Sequence, residues 1–291
     1  MTPPENPYRL LDNQLAKVWR YMSFGRFVWF LQSESLWLSR ADRLGDEWEM
    51  FLTEAQIESV VSEFSNDEDE GVRDLKVRLA QLLNQTKTLP GDPSGLESPT
   101  GASVSEEARP GGDWATYLRR TLHDSVSKNR RQTYVNCWTI SEHESFAMWR
   151  TYCAGIEGVA VCSTIGDLLV LQTMDTQLLP VRYFHQNEKS NEVGLWHMAA
   201  QKRVPFAYER EVRLIRSAPY RQTEGGPLID SIGEPPGVAL KVDLESLVKA
   251  IVVHPQADSA FEDSVRAATV ALAPTLAARV AKSEMASPRP Y

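Results

Sequence analysis

The stretch from Tyr134 to Thr164 constrains the fold of this chain more than any other. It opens on YVNCWTIS, whose β-branched and aromatic residues predict a strand. A polar corner, EHES, then leads through an N-cap serine into a short helix over 146–152. Gly155 ends this helix, and the apolar run from Gly158 predicts a second, buried strand. Two core strands joined by a short helix are a common way to build a pocket.

Six polar or aromatic side chains of this stretch are candidates to meet in such a pocket: Asn136, Ser141, Glu144, Ser145, Trp149 and Tyr152. The alternative is that the aromatic residues fill the core and the polar residues cap the helix and the turns. The residues themselves leave both interpretations open.

The composition limits the class of protein. The chain has 291 residues, 42% of them hydrophobic and 24% charged, which suffices for one sizeable domain. Its net charge of −8 argues against a general nucleic-acid-coating surface, but the basic run 128–131 leaves a local groove open. No apolar run approaches the roughly 20 residues that span a bilayer, and the N-terminus shows no secretory signal. We therefore expect a cytoplasmic protein without a membrane partner.

The cysteines and histidines predict neither disulfides nor a metal site. Cys137, Cys153 and Cys162 stand in apolar surroundings, as reduced core residues do. The five histidines are scattered, and no Cys/His spacing resembles a zinc site. We expect no structural metal.

Local patterns divide the N-terminal part of the chain. Residues 1–16 predict a flexible, Pro-rich arm. A strand that delivers Arg20 and Tyr21, then a helix and a second strand, are predicted at 17–22, 24–31 and 36–40. An amphipathic helix over 71–89 precedes the Pro-, Gly- and Ser-rich residues 90–112, which predict a mobile insertion rather than a domain boundary.

The turn over 41–49 is rich in carboxylates and is predicted to run into another helix. Asp46 and Glu49 stand three residues apart at this helix start. That spacing is typical of a capping box, and it also leaves both carboxylates available for a site.

The C-terminal part continues the mixture of helices and strands. Helices are predicted at 114–128, 165–171, 195–203 and 258–271, and strands at 179–184, 206–216, 238–242 and 250–253. Residues 274–291 form a tail. The sequence thus predicts a single α+β domain over 17–273, with a mixed, strongly twisted central sheet flanked by helices.

The sharpest chemical signal outside the central stretch is the run Glu209-Arg210-Glu211-Val212-Arg213. On a strand, Glu209 and Glu211 point to the same side, roughly 6–7 Å apart. Two carboxylates held that close repel each other, which raises the pKa of one, and Arg213 could relieve the repulsion. The alternative is an exposed edge strand with alternating charges.

Several motifs in order resemble a bacterial family of unknown function. They are WRYM at 19–22, LWLSRADRLGDEWE at 36–49, VNCW at 135–138, ESFAMWRTY at 144–152, GVAVCST at 158–164 and YEREVR at 208–213. The resemblance covers about residues 17–270 without the insertion. This chain departs from the family pattern at Glu47-Trp48, where the family has Pro-Phe, and at Thr139, where it often has His.

The chain also resembles, more loosely, the Arg-Ser-Glu-type ADP-ribosyltransferases. The resemblance implies that Arg20 binds the diphosphate of NAD and that Ser141, or Thr139, braces the nicotinamide side. It further implies that Glu211 stabilises the oxocarbenium-like transition state and that Glu209 orients the acceptor. An aromatic side chain would stack on the nicotinamide ring, with three candidates: Trp138, Trp149 and Tyr152.

These resemblances lead to the functional expectation of an NAD-consuming, ADP-ribosyltransferase-like enzyme with an ADP-ribosyltransferase-like fold. Such an enzyme would be a bacterial toxin or phage-defence effector, with a protein or nucleic-acid acceptor and an antitoxin or regulator. Two rival expectations stay open. One is a non-enzymatic module that binds a nucleotide or partner; the other is a metal-dependent nuclease built from Asp46, Glu49, Glu144, Glu209 and Glu211.

Overall fold

The computed structural model describes residues 7–46, 48–65, 114–153, 155–189, 194–217 and 235–286. The predicted helix over 71–89, the predicted insertion over 90–112 and the departure at Glu47 lie outside these residues.

Within the described ranges the chain forms eleven strands and eight α-helices. The strands are β1 Lys17–Ser23, β2 Ser35–Arg40, β3 Thr133–Ile140, β4 Gly158–Thr164, β5 Thr176–Pro180, β6 Arg182–Phe184, β7 Gln201–Arg203, β8 Glu211–Ser217, β9 Gly237–Lys241, β10 Ala250–Val253 and β11 Val280–Lys282. The α-helices are α1 Phe24–Ser33, α2 Glu54–Ser65, α3 Trp114–Gln132, α4 Phe146–Tyr152, α5 Ile165–Leu169, α6 Leu195–Ala199, α7 Leu244–Leu247 and α8 Ser259–Leu272.

A nine-stranded sheet organises these elements. Seven strands follow the order β11-β10-β4-β1-β3-β2-β9, and β8 pairs with both β3 and β5. Among the described strands the pairings of this sheet are antiparallel, except that β10 and β11 are parallel. β6 and β7 form a separate parallel pair. The protein is therefore α+β, with a mostly antiparallel central sheet flanked by helices.

Alternation along the strands gives this sheet two different faces, because successive side chains point to opposite sides. On one face, Val18 of β1, Trp138 of β3 and Leu214 of β8 belong to the largest apolar cluster. Four helices cover this face, α1, α5, α7 and α8, which contribute among others Phe27, Ile165, Leu247 and Val265.

The opposite face carries two smaller apolar clusters. Over β1 and β4, helix α4 packs Trp149 edge-on against Tyr21, in a cluster that also contains Trp19. Over β3 and β8, apolar residues of α2, α3 and α6 pack with Ile215. The polar residues on this face belong to neither cluster, and they include Thr139, Glu211 and Arg213.

The central sequence prediction is confirmed: β3, α4 and β4 are two buried strands joined by a short helix. The predicted strands at 17–22, 36–40, 238–242 and 250–253 correspond to β1, β2, β9 and β10. The helices predicted at 24–31, 114–128, 165–171 and 258–271 are also present, with ends shifted by up to four residues. Apolar spacing was sufficient to predict these elements because each of them buries apolar side chains in one or more of the clusters.

Three predicted elements were wrong in extent. The helix predicted over 195–203 ends at Ala199, because the next residues form β7 and pair with β6. The strand predicted over 206–216 begins only at Glu211; a 3-10 helix with Pro205 near its start precedes it. The strand predicted over 179–184 is interrupted at Val181, whose N–H donates to the carbonyl of Glu211.

The ends of the predicted domain and its acidic turn also differ from expectation. Leu10 and Leu11, in the 3-10 helix Pro7–Leu11, pack against the largest cluster, and β11 extends the sheet beyond residue 273. No α-helix starts near Asp46 in the described residues, and α2 begins at Glu54. Asp46 therefore caps a turn instead of a helix: its Oδ1 accepts from the N–H of Trp48 at 3.1 Å. Both Asp46 and Glu49 also form ion pairs.

Candidate functional site

A cleft of about 390 Å³ opens on the sheet face between the two smaller clusters. Thr139 of β3 lies beside Glu211 of β8 in the sheet register, and both line the cleft. Helix α4 contributes Tyr152 to the lining, and the segment from Lys202 to Glu209 contributes four further residues: Lys202, Phe206, Tyr208 and Glu209. Its volume lies within the range of small-molecule sites.

The cleft lies where the sheet divides. One edge of β3 pairs with β8 along nearly its whole length. The other edge pairs with β1 only at its C-terminal end and with β2 only near its N-terminal end. Between these two ends, the carbonyl of Cys137 accepts a hydrogen bond from Nη1 of Arg20 at 2.9 Å. A guanidinium group therefore occupies the place of a strand partner and lines the cleft.

Three buried carboxylates and two buried cations form the other end of the cleft. Nζ of Lys202 donates to Oε2 of Glu209 at 2.7 Å and to Oε1 of Glu211 at 2.9 Å. Arg213 donates to Oε2 of Glu211 at 2.6 Å and binds both oxygens of Glu49 at 2.9 Å. All five side chains are at least nine-tenths buried. The alternative of an exposed, alternating edge strand is therefore wrong.

Glu209 and Glu211 have opposite protonation preferences. Burial, together with the hydrogen bond and charge of Glu211, raises the pKa of Glu209 to about 7, although Lys202 acts in the other direction. Burial would also raise the pKa of Glu211, but Arg213 and Lys202 outweigh it and hold that pKa well below its ordinary value. At neutral pH the pair therefore holds one ionised carboxylate and one carboxyl group that can exchange a proton.

The backbone is strained beside these carboxylates. Met50 follows Glu49 with φ 59°, and Arg210 separates Glu209 from Glu211 with φ 45°. This left-handed region costs a non-glycine residue about 1–2 kcal/mol. Strained positions of this kind concentrate at functional sites, where the surrounding structure holds them in place.

The Arg20 end of the cleft is positively charged. Burial lowers the pKa of Arg20 to about 10, which still leaves it protonated at neutral pH. Within the described part of the chain, no carboxylate forms an ion pair with Arg20 or with Arg26, which also lines the cleft. This end is therefore suited to an anionic group.

Six of the eight predicted site residues line this one cleft: Arg20, Tyr21, Trp138, Tyr152, Glu209 and Glu211. The hydroxyl of Tyr152 donates to Oε2 of Glu209 at 2.9 Å. The indole of Trp138, however, packs in the largest cluster on the other face, where its N–H donates to Oδ1 of Asn136 at 2.7 Å. The hydroxyl of Tyr21 accepts from the N–H of Ser145 at 2.7 Å, so it also orients the start of α4.

The other two predicted residues, Ser141 and Trp149, do not line the cleft. The carbonyl of Ser141 accepts from the indole N–H of Trp19 at 2.9 Å. Trp149 is fully buried and donates to Oε2 of Glu144 at 2.8 Å. Thr139, the alternative to Ser141, does line the cleft.

Sequence reasoning missed Lys202 and the role of Glu49. Lys202 fell inside a predicted helix, and Glu49 was interpreted as a cap. The available signal was charge: two nearby glutamates and one arginine leave a net negative charge, which requires a further cation if they are buried. That signal does not indicate Glu49.

The five carboxylates of the nuclease alternative do not meet. Glu144 accepts hydrogen bonds from Trp149, from Oγ of Ser283 and from the N–H of Glu284, whereas Asp46 pairs with Arg203. Ammonium and guanidinium groups already bind the remaining three. Among the described residues, no group of three or more His, Cys, Asp or Glu side chains could hold a metal ion.

Comparison with known proteins adds no assignment: no protein-family model, no curated protein and no solved structure matches this chain. None of the helices in the described ranges has the length and apolar character needed to cross a bilayer.

Proposed function

We propose that this protein cleaves the N-glycosidic bond of NAD and transfers ADP-ribose to a nucleophile. The observation that carries the proposal is the pair Glu209 and Glu211. One is ionised, and the other exchanges a proton near neutral pH, at one end of a cleft whose other end presents Arg20. Glycoside-cleaving sites use such pairs of carboxyl groups with different proton affinities.

The reaction assigns a separate task to each carboxyl group. When the bond between C1′ of the ribose and the nicotinamide nitrogen breaks, its electron pair leaves with nicotinamide and positive charge develops on the ribose. The fixed carboxylate of Glu211 stabilises that charge without reorganising, because Arg213 and Lys202 hold it. An acceptor O–H or N–H group then adds to C1′, and its proton passes to Glu209.

The positive end of the cleft supports a nucleotide substrate. Arg20 and Arg26 would bind phosphate oxygens, for which the planar guanidinium group is well suited. Tyr152 is 41% exposed and its hydroxyl contacts Glu209, so its ring lies next to the reacting carboxyl groups. It is the aromatic side chain we propose to contact the nicotinamide ring.

The proposal extends to the fold and to the biological role. The likeness of the sequence to Arg-Ser-Glu-type ADP-ribosyltransferases supports an ADP-ribosyltransferase-like interpretation of this α+β fold. It also supports a cytoplasmic toxin or phage-defence effector that modifies a protein or nucleic acid and is controlled by an antitoxin or regulator.

One observation favours a second candidate function, a nucleotide-binding module without turnover. Oε1 of Glu211 binds Lys202 and Oε2 binds Arg213, so both oxygens already have cationic partners. A carboxylate held in this way can have a purely structural role, as the members of buried ion pairs often do.

NAD turnover in the presence of a metal chelator distinguishes these functions. The enzyme proposal predicts release of free nicotinamide in chelator, because no step uses a metal ion. A binding module predicts a raised melting temperature with NAD but no nicotinamide. If NAD gives neither nicotinamide release nor a raised melting temperature, both candidate functions are overturned. An activity on DNA or RNA that chelator abolishes would instead identify a nuclease.

A further inference from the structure

The ammonium group of Lys202 is shared among the carboxylates of the cleft. Its Nζ lies 2.7 Å from Glu209, 2.9 Å from Glu211 and 3.5 Å from Glu49, and the side chain is 7% exposed. Lys202 belongs to β7, which pairs with β6 through the register of Tyr183 with Lys202. The small β6-β7 pair therefore fixes the position of this cation.

The two buried cations, Arg213 and Lys202, pair with different sets of carboxylates. Arg213 binds Glu49 through two nitrogens and Glu211 through a third, and it forms no ion pair with Glu209. Among the described residues, Lys202 is the only cation paired with Glu209. Its other polar contacts are the neutral hydroxyl of Tyr152 and the carboxyl group of Glu211, with which protonated Glu209 shares a hydrogen bond.

We propose that Lys202 is a positioning residue of this site: it holds Glu209 beside Glu211 and keeps the ionised form of Glu209 accessible near neutral pH. This inference rests on the proposed function, because it assigns Glu209 as the group that accepts the proton from the incoming nucleophile.

The charges that face Glu209 explain why Lys202 is needed. The ionised Glu211 of β8 repels a second negative charge, Glu49 adds to that repulsion, and Arg213 is engaged by both. Tyr152 of α4 donates one neutral hydrogen bond. Without Lys202, ionising Glu209 would create a buried carboxylate with no cationic partner, which is strongly disfavoured. Glu209 would then remain protonated and could not accept a proton.

The titration of Glu209 tests this inference independently of NAD turnover. We suggest ¹³C NMR of glutamate-labelled protein, with the Glu209 carboxyl signal assigned by its loss in Glu209→Gln. Lys202→Met should move the midpoint upward by more than about one pH unit, a tenfold change in proton affinity. Lys202→Arg keeps a cation of different shape, so its midpoint should lie between those of Lys202→Met and the wild type. Lys241→Met is the control, because that ammonium group is exposed, and its midpoint should stay at the wild-type value.

A wild-type midpoint in folded Lys202→Met would overturn the inference, even if that variant had lost activity. If Lys202→Met does not fold, Lys202→Arg decides, and an unshifted midpoint there would also overturn it. In active protein, the acid limb of the pH–rate profile should move upward with the NMR midpoint, which a purely structural role would not cause. If Lys202→Met shifts the midpoint but the wild type releases no nicotinamide, the positioning role of Lys202 is supported and the proposed reaction is rejected.

Discussion

Glu209 and Glu211 bind the same ammonium group, that of Lys202, although they approach it from different elements. Glu211 is the first residue of β8, whereas Glu209 ends a 3-10 helix. The left-handed backbone of Arg210 joins the two elements, so the carboxyl groups converge instead of following one another along a strand. This convergence is the structural basis for their different protonation states.

Replacing Arg213 by methionine should destabilise the fold strongly. The guanidinium group is fully buried and binds Glu49, Glu211 and the carbonyl of Ala199, so its loss leaves two buried carboxylates short of a partner. Removing one partner of a buried ion pair costs about 3–5 kcal/mol. The free energy of unfolding in urea measures this loss.

Arg266→Met is the matched control for Arg213→Met. Arg266 also pairs with a glutamate, Glu262, but its side chain is 44% exposed. Exposed pairs contribute at most about 1 kcal/mol. Equal losses in the two variants would contradict the structural role given to Arg213.

The stability of the protein should depend on pH through Glu209. Its pKa of about 7 in the folded state exceeds the ordinary 4.5, so the folded protein binds more protons between these values. The contribution of Glu209 to stability is therefore present at low pH and is lost as pH rises towards 7, by up to about 3 kcal/mol.

Urea unfolding of the wild type and of Glu209→Gln at about pH 5 and about pH 8 checks this dependence. The glutamine side chain at position 209 does not titrate, so the stability of this variant should fall less between these two pH values than that of the wild type. Equal slopes would show that Glu209 is ionised in the folded protein throughout, and would contradict the assigned protonation state.

Much of the fold could be predicted because its helices and strands bury regularly spaced apolar side chains. The apolar spacing of 24–31 and the β-branched run at 135–140 determine α1 and β3 locally. The short pair β6-β7 could not be predicted, because three-residue strands have no usable periodicity and form through their tertiary partners. Pro205 and Arg210 likewise take Glu209 out of the strand in a way that charge alternation did not indicate.

The site was predictable in its charges but not in their pairing. The charges of the 209–213 run indicated Glu209 and Glu211, whereas Arg20 was indicated by the resemblance to ADP-ribosyltransferases. The sequence did not indicate that Arg20 would fill the gap beside Cys137, because that gap depends on how far β1 and β2 each extend along β3. Ser141 was preferred over Thr139 on motif order, and sheet register favours Thr139.

Changing Arg20 should affect phosphate-containing substrates selectively. We expect Arg20→Gln to lower kcat/KM for NAD by about tenfold or more, since a hydrogen-bonded charge contributes about 1.5–3 kcal/mol. Nicotinamide riboside has no phosphate, so its cleavage should change little. Steady-state kinetics with both substrates check the prediction, and equal losses for both would show that Arg20 supports the fold instead of binding phosphate.

The most direct test of the central claim is the rate of nicotinamide release from NAD by the wild type and by Glu211→Gln, with protein, RNA and DNA supplied as acceptors. Glu142→Gln, at an exposed position on the loop after β3, is the matched control. The account predicts release by the wild type and by the control, with a loss of about 10²–10³-fold in Glu211→Gln. Indistinguishable rates in the wild type and Glu211→Gln with every acceptor would contradict it.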